Sequence, residues 1–435
     1  MGLKREEIMP GVWLNHIHSD KFKTAQISFS FLTQLERETA SMNALIPAVL
    51  TRGSVRYPDI EKLSNRMDEL YGADVCPLVR LSGEIQCTGL IVSFPEAKYL
   101  PVTGNYTKEI LQLAGEILLH PLTHGGLLLK EYVDSERQKL ADNIRSMINE
   151  KNSYAVQRCI EEMCSYETFA VGKLGSAEDC ESINYKKLTK QYHNLLLSSP
   201  MEIIYVGSES FESISSSLSE VLVTLPRGEI NYDIGTDIRM NSVEESARTV
   251  EEKLDVTQGK LVLGFRLGEW MNDPDPAVLS VFNCIYGSGV TSKLFRNVRE
   301  KLQLCYYASS IARLAKGILL VSSGIDFEKF ETAKDEILFQ LEEVRSGNFT
   351  EEELGWAKAA VKSELKSIPD GPGNLESYYF TRILTGNIFS TEEYSEAVEN
   401  VTGEEVIRLA QSIVPDMVYF LRNDPDEAAE EDENQ

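Results

Sequence analysis

Gly287 to Tyr307 reads GSGVTSKLFRNVREKLQLCYY, and the choice of fold turns on this stretch. Two glycines and small polar residues follow the apolar run Val278 to Tyr286. Leu294, Phe295 and Val298 then recur at helical spacing among Lys293, Arg296, Arg299, Glu300 and Lys301, the pattern of an amphipathic helix closed by the aromatic pair Tyr306 and Tyr307. GSGVTSK lacks the Gly-Lys-Ser/Thr ending of a phosphate loop. Taken alone, the composition describes a surface helix and the strand that leaves it.

The same residues resemble the second-half signature of the pitrilysin/insulinase family of zinc metallopeptidases, the inverzincins. There a Gly/Ser-rich turn and a basic LF..LRE helix lead to a tyrosine. Arg299 and Tyr306 match the family's Arg and Tyr. The first half of such a chain carries H-x-x-E-H on a helix, so that two imidazoles one turn apart bind zinc and the Glu activates zinc-bound water.

Ala40 to Ser54, ASMNALIPAVLTRGS, resembles that position without its chemistry. Arg52-Gly53-Ser54 is similar to the Lys-Gly-Thr that closes the motif, which sets the ligand positions on Ala44 and Ala48 and the general base on Pro47. Alanine has no lone pair to offer, and proline neither accepts a proton nor suits a helix interior. The segment is apolar, as expected of a buried helix or turn that keeps its packing role after losing its metal. The family's third ligand is a Glu on a later helix, and Val133-Asp134-Ser135-Glu136 resembles its setting. The resemblance makes Glu136 a relic of that ligand; the surrounding ERQKLADNIRS reads it as a solvated helix carboxylate, since one carboxylate holds no zinc without the imidazoles.

The five histidines offer no substitute site. His16 and His18 share one face of a strand without an acidic or cysteine partner at close spacing. His120 and His124 flank a loop after a helix expected over Tyr106 to Leu119, and His193 stands alone. Seven cysteines lack any C-x-x-C pair and read as reduced, mostly buried thiols.

At 435 residues the chain has room for two to four ordinary domains. No apolar run approaches the roughly 20 residues that span a bilayer, and MGLKREEIMPGVW has no hydrophobic segment of the signal-peptide kind, so a cytoplasmic location is expected. A net charge of -25 repels nucleic acid and anionic membranes, and neither is expected as a partner. Asp424 to Gln435 reads as an acidic, disordered tail.

Along the chain, residues 10 to 33 alternate as two strands with a turn near Ser19 to Lys23. MEIIYVG reads as a strand and SISSSLSEVLVTLP as a helix. Periodicity lapses over Arg227 to Glu245, which makes residues 227–245 the expected linker. The pattern then restarts with a strand over Lys260 to Arg266, a helix over Phe327 to Val344 and another over Thr350 to Lys366, capped by Thr350 with Glu353. Glu109-Ile110-Leu111 is echoed by Glu336-Ile337-Leu338, a weak repeat of long period. The expectation is α+β, in two similar domains over residues 1–226 and 246–423, which in the family are mainly antiparallel sheets covered by helices, as in mitochondrial processing peptidase.

Some bacterial members of the family work as heterodimers, one subunit bringing zinc and the other Arg and Tyr. The resemblance therefore implies a subunit with no cofactor of its own, inactive alone. It would supply Arg299 and Tyr306 to substrate and transition state in trans, with zinc in a homologous partner and a peptide as substrate. The alternative is a non-enzymatic scaffold or peptide-binding protein that keeps the peptidase fold, with both residues as leftovers. Whether the isolated chain forms a homodimer stays open.

Overall fold

The computed structural model describes residues 2–102 and 104–424. Of the stretch read as an acidic tail, all but Asp424 lies outside the described residues. Strands β1 (Leu3–Met9), β2 (Val12–His18) and β3 (Thr24–Gln34) open the chain. Helices α1 (Arg37–Leu50) and α2 (Ile60–Glu69) lead to a hairpin of β4 (Asp74–Ser82) and β5 (Ile85–Pro95). Helix α3 (Tyr106–Leu119) is followed by a short ribbon of β6 (Thr123–His124) and β7 (Leu127–Leu128), then by helices α4 (Lys130–Ser146), α5 (Lys151–Met163), α6 (Ala177–Glu181) and α7 (Tyr185–Ser198). Strand β8 (Met201–Gly207) and helix α8 (Phe211–Val221) complete the first half.

The second half runs through β9 (Arg248–Lys253), β10 (Gly259–Arg266), α9 (Pro276–Tyr286) and a π-helix (Leu294–Lys301) to the hairpin of β11 (Cys305–Arg313) and β12 (Ile318–Ile325). Helices α10 (Phe330–Arg345), α11 (Glu351–Ser367), α12 (Pro372–Thr385), α13 (Thr391–Asn400) and α14 (Gly403–Ser412) precede the last strand, β13 (Val414–Arg422).

The fold is α+β, as expected. One sheet has the order β1-β2-β8-β3-β5-β4, with only β2 and β8 parallel. The other has β11-β12-β10-β13-β9, with only β9 and β13 parallel. From β2 to β4 and from β9 to β11 the pairing sequence is the same, which gives the weak sequence repeat a structural counterpart.

Two compact units emerge, and each is discontinuous: Met1–Arg145, Val171–Gly235 and Ile368–Ser390 form the first, and Ser146–Ala170, Thr236–Ser367 and Thr391–Gln435 the second. The division expected from sequence, 1–226 and 246–423, is contiguous and differs for a physical reason: each central strand must be covered on both faces. In the first unit, Ile27, Phe29 and Phe31 of β3 join one core with α1, α3, α7 and α8. The opposite side chains, Gln26, Ser28 and Ser30, are also buried, and α12 packs there. In the second unit, α5 buries Ala155, Cys159, Ile160 and Met163 and packs on β10 and β13. A side chain at Gly264 would put its Cβ 2.6 Å from Met163 Sδ, so a glycine is what allows this close approach. The segment expected as a linker carries no regular structure but is tied down: Arg227 donates to the carbonyls of Leu196 and Ser199 at 2.7 and 2.8 Å. All seven cysteines are free thiols.

Candidate functional site

The positions expected for the degenerate zinc motif, Ala44, Pro47 and Ala48, lie on α1, a helix whose buried residues include Ala44, Leu45, Ile46, Pro47, Val49 and Leu50. Pro47 stands inside the helix, where the donor it lacks is the one that would bond the Asn43 carbonyl; its own carbonyl still accepts from Thr51 N–H at 3.2 Å. Beside Ala44, Asn43 is buried and donates to Gln86 Oε1 at 3.0 Å while accepting from Gln191 at 2.8 Å. Sequence patterning missed this polar network, because its members come from three distant segments.

Glu136 corrects the reading of a solvated carboxylate. It is 9% exposed, and its Oε1 accepts from Arg52 Nη1 at 2.7 Å and from Lys139 Nζ at 2.8 Å. The Arg52 guanidinium also lies 5.1 Å from the Tyr132 ring centroid. Burying a carboxylate without a counter-ion is costly, so a cation within the chain neutralises it here. The residues present do not fit zinc: Ala44 and Ala48 offer no donor atom, and the one carboxylate is engaged by two cations. Among the described residues, no group of three or more His, Cys, Asp or Glu side chains gathers as a metal site requires.

The histidines make local contacts: His18 is exposed, with Nε2 3.2 Å from Asp20 Oδ2. His16 is buried, stacks on Tyr205 at 5.3 Å and bonds the Glu209 carbonyl at 2.8 Å. Burial lowers its pKa below the usual imidazole value, which keeps it neutral. His120 is the C-cap of α3, His124 lies in the β6–β7 ribbon, and the His193 ring packs 5.5 Å from that of Tyr192.

Arg299 and Tyr306 sit where the backbone departs from regular geometry three times in succession. Leu294 to Lys301 winds as a π-helix, with Leu302 N–H bonded to the Asn297 carbonyl at 3.0 Å, and its buried residues are Leu294 and Val298. Gln303 follows with a φ of 51°, a left-handed conformation unusual for a side chain of its size. Then the β11–β12 register slips: Cys305 pairs with Ile325 and Tyr307 with Gly324, leaving Tyr306 as the extra residue of a bulge. π-turns, left-handed non-glycine residues and bulges each cost stability, and they concentrate where a side chain must be aimed.

The result is two accessible side chains. Tyr306 is 61% exposed, and its hydroxyl donates to Asp326 Oδ1 at 3.1 Å. The Arg299 side chain is 42% exposed, packs its guanidinium 4.8 Å from the Phe295 centroid and lies 3.8 Å from Glu300. Lys293 turns inward instead and donates to the Asn348 carbonyl at 2.6 Å, a packing role that accounts for its place at the end of GSGVTSK. Asp326 and Lys329, which touch this site, escaped sequence reading because an acid at the head of a helix reads as a cap.

The family described as Peptidase M16 inactive domain matches residues 182–361, from α7 across the linker to α11. The fold and the relatives together define the class: this chain belongs to the M16 peptidase family and is similar to its inactive members. A relative from Bacillus subtilis (strain 168), the "Probable inactive metalloprotease YmfF", is 30% identical over 414 residues, covering 95% of this chain and 96% of the relative. A conserved protein of Enterococcus faecalis V583 superposes with a TM-score of 0.86 at 26% identity, covering 97% of this chain and 99% of the other. A peptidase M16 inactive domain from Pseudomonas fluorescens gives 0.79 at 15% identity over 98% and 99% of the two chains, a likeness of fold alone. The family resemblance seen in Gly287 to Tyr307 is therefore borne out. Among the described residues no helix is long and apolar enough to cross a membrane.

Proposed function

We propose that this chain is the non-catalytic subunit of a heteromeric peptidase of the cytoplasm, supplying Arg299 and Tyr306 in trans to a homologous subunit that carries zinc. The observation that carries the reading is an asymmetry. The ligand positions on α1 are apolar, while the Arg/Tyr segment keeps an irregular, costly backbone that leaves both side chains accessible. A guanidinium and a phenol O–H aimed where negative charge develops stabilise a tetrahedral intermediate of peptide hydrolysis. This chain contributes those donors and substrate contacts; the partner brings the metal and its activated water.

One observation favours the scaffold or peptide-binding reading: the Tyr306 hydroxyl has one proton, and Asp326 accepts it. In a catalytic complex the phenol must turn away from Asp326. Turnover and melting temperature of the reconstituted complex, measured on Tyr306→Phe and Arg299→Ala, separate the two. Loss of one oxyanion donor is expected to lower kcat by about 100- to 1000-fold while the complex still assembles. Arg299→Ala should also raise KM, because Arg anchors a substrate carbonyl as well. Full turnover with both substitutions together would sink the catalytic role and leave the scaffold.

A further inference from the structure

Asp326 is held at both carboxylate oxygens: Tyr306 Oη donates to Oδ1 at 3.1 Å, and Lys329 Nζ lies 2.8 Å from Oδ2. Lys329 also donates to the carbonyl of Gln303 at 3.2 Å and so braces the left-handed turn between Arg299 and Tyr306. Burial raises the Cys305 thiol pKa while Arg299 and Lys329 both pull it down, so each cation lies within electrostatic reach of the residue that precedes Tyr306. Asp326 and Glu300 are the acids paired with these donors, Glu300 at a loose 3.8 Å from Arg299. Two donors, Tyr306 and Lys329, thus converge on the Asp326 carboxylate, while Arg299 stands on the same segment with only the loose Glu300 contact, in a chain whose net charge is -25.

We propose that Tyr306, Lys329 and Arg299 form a receptor for a carboxylate of a bound peptide, from an acidic side chain or a chain terminus, with Asp326 as its internal occupant. The mode of recognition is already displayed inside the chain. A carboxylate accepts one bond from a phenol and one from an ammonium, and a rotation of the Asp326 side chain frees both donors for an incoming group. The pairs are solvent-exposed, so the exchange costs little and is screened by salt. The proposal rests on the reading of Arg299 and Tyr306 as substrate contacts, and it adds the class of substrate and a third recognition residue.

The test uses the full chain without a partner, with fluorescence anisotropy of labelled alanine-rich peptides at low and high salt. One probe carries glutamates and an amidated end, a second has glutamines in their place, and a third is the glutamine peptide with a free terminal carboxylate. The glutamate or free-acid probe is expected to bind more tightly than the glutamine amide, and whichever gains identifies side chain or terminus as the source. Lys329→Ala and Arg299→Ala should each weaken that probe by roughly two- to fivefold, and Asp326→Asn should tighten it by a similar factor. Equal binding of all three probes, no binding of either acidic probe, or an Asp326→Asn variant that binds no better would overturn the receptor. Because no partner is present, these outcomes are independent of turnover. Tight acidic-peptide binding with an unaffected Tyr306→Phe complex would fault the catalytic reading alone.

Discussion

Glu202 lies on β8, buried, and its carboxylate accepts from Arg5 Nη2 at 2.7 Å and from Asn15 Nδ2 at 2.6 Å. Burial pushes its pKa up to about 7, and the pull of Arg5 and Asn15 in the other direction does not cancel it. Cys87 on β5 feels the Glu202 charge, and its own burial pushes its thiol pKa up. A folded value above the unfolded one means that the native state holds an extra proton between roughly pH 4.5 and 7. Glu202 therefore contributes its stability below this window and loses it as pH rises through it. Replacing Glu202 with Gln should remove that dependence: relative to the parent chain, the variant gains ~2–3 kcal/mol of unfolding free energy between pH 5 and pH 8. Urea unfolding at the two pH values measures it, and parallel behaviour of the two proteins would contradict the assignment.

At the scale of elements, α5 shows what a displaced helix requires. Just beyond its end, Glu167 bonds Arg266 at 2.7 Å and Lys316 at 2.6 Å, while Arg266 Nε reaches Asp416 at 2.7 Å. Two cations and two carboxylates are thus buried together, joining the turn after α5 to β10 and β13. Burial alone would raise the Glu167 pKa, but Arg266 and Lys316 hold it below the ordinary value. Arg266→Met leaves two buried carboxylates with Lys316 as their remaining cation in this group, and a loss of ~3–5 kcal/mol in urea unfolding is expected. A neutral result would show that the network adds nothing beyond what packed apolar groups supply. Some elements were legible in full: α3 spans Tyr106–Leu119 as its apolar spacing dictates, and Thr350 and Glu353 form their reciprocal cap at 2.8 and 3.1 Å. The π-helix was not, because Leu294 and Val298 recur at a spacing that an α-helix serves equally well.

For the whole molecule, the segment between the two sequence halves behaves as two anchored strips. Arg227, Gly228 and Asn231 are bonded to the first unit, and Gly235 N–H reaches Gln34 Oε1 at 2.9 Å. In the second unit Lys316 bonds the Asp237 carbonyl, Arg239 the Tyr166 carbonyl at 3.1 Å, and Val243 N–H donates to Asp416 at 3.1 Å. Cleavage requires a segment to detach from its bonds, so Glu244 and Glu245, exposed just past the last anchor, are the expected first sites for a Glu-specific protease. Trypsin should spare Arg227 over the same period. Mass spectrometry of early fragments checks both, and a first cut at Arg227 or inside α3 would refute the anchoring.

The sequence by itself determined the family and the α+β class, and it set the expectation of a degenerate metal motif. Those properties reside in side-chain identity at Ala44, Pro47 and Ala48 and in the local spacing of Gly287 to Tyr307, and both are written along the chain. Tertiary structure alone decided that α5 belongs with the second unit and α12 with the first, that Arg52 neutralises Glu136, and that Asp326 and Lys329 stand beside Tyr306. The physical reason is common to all three. Amphipathic spacing fixes which face of an element is buried but not against what, and a charge enters a core beside whichever counter-ion the folded chain brings within about 3 Å.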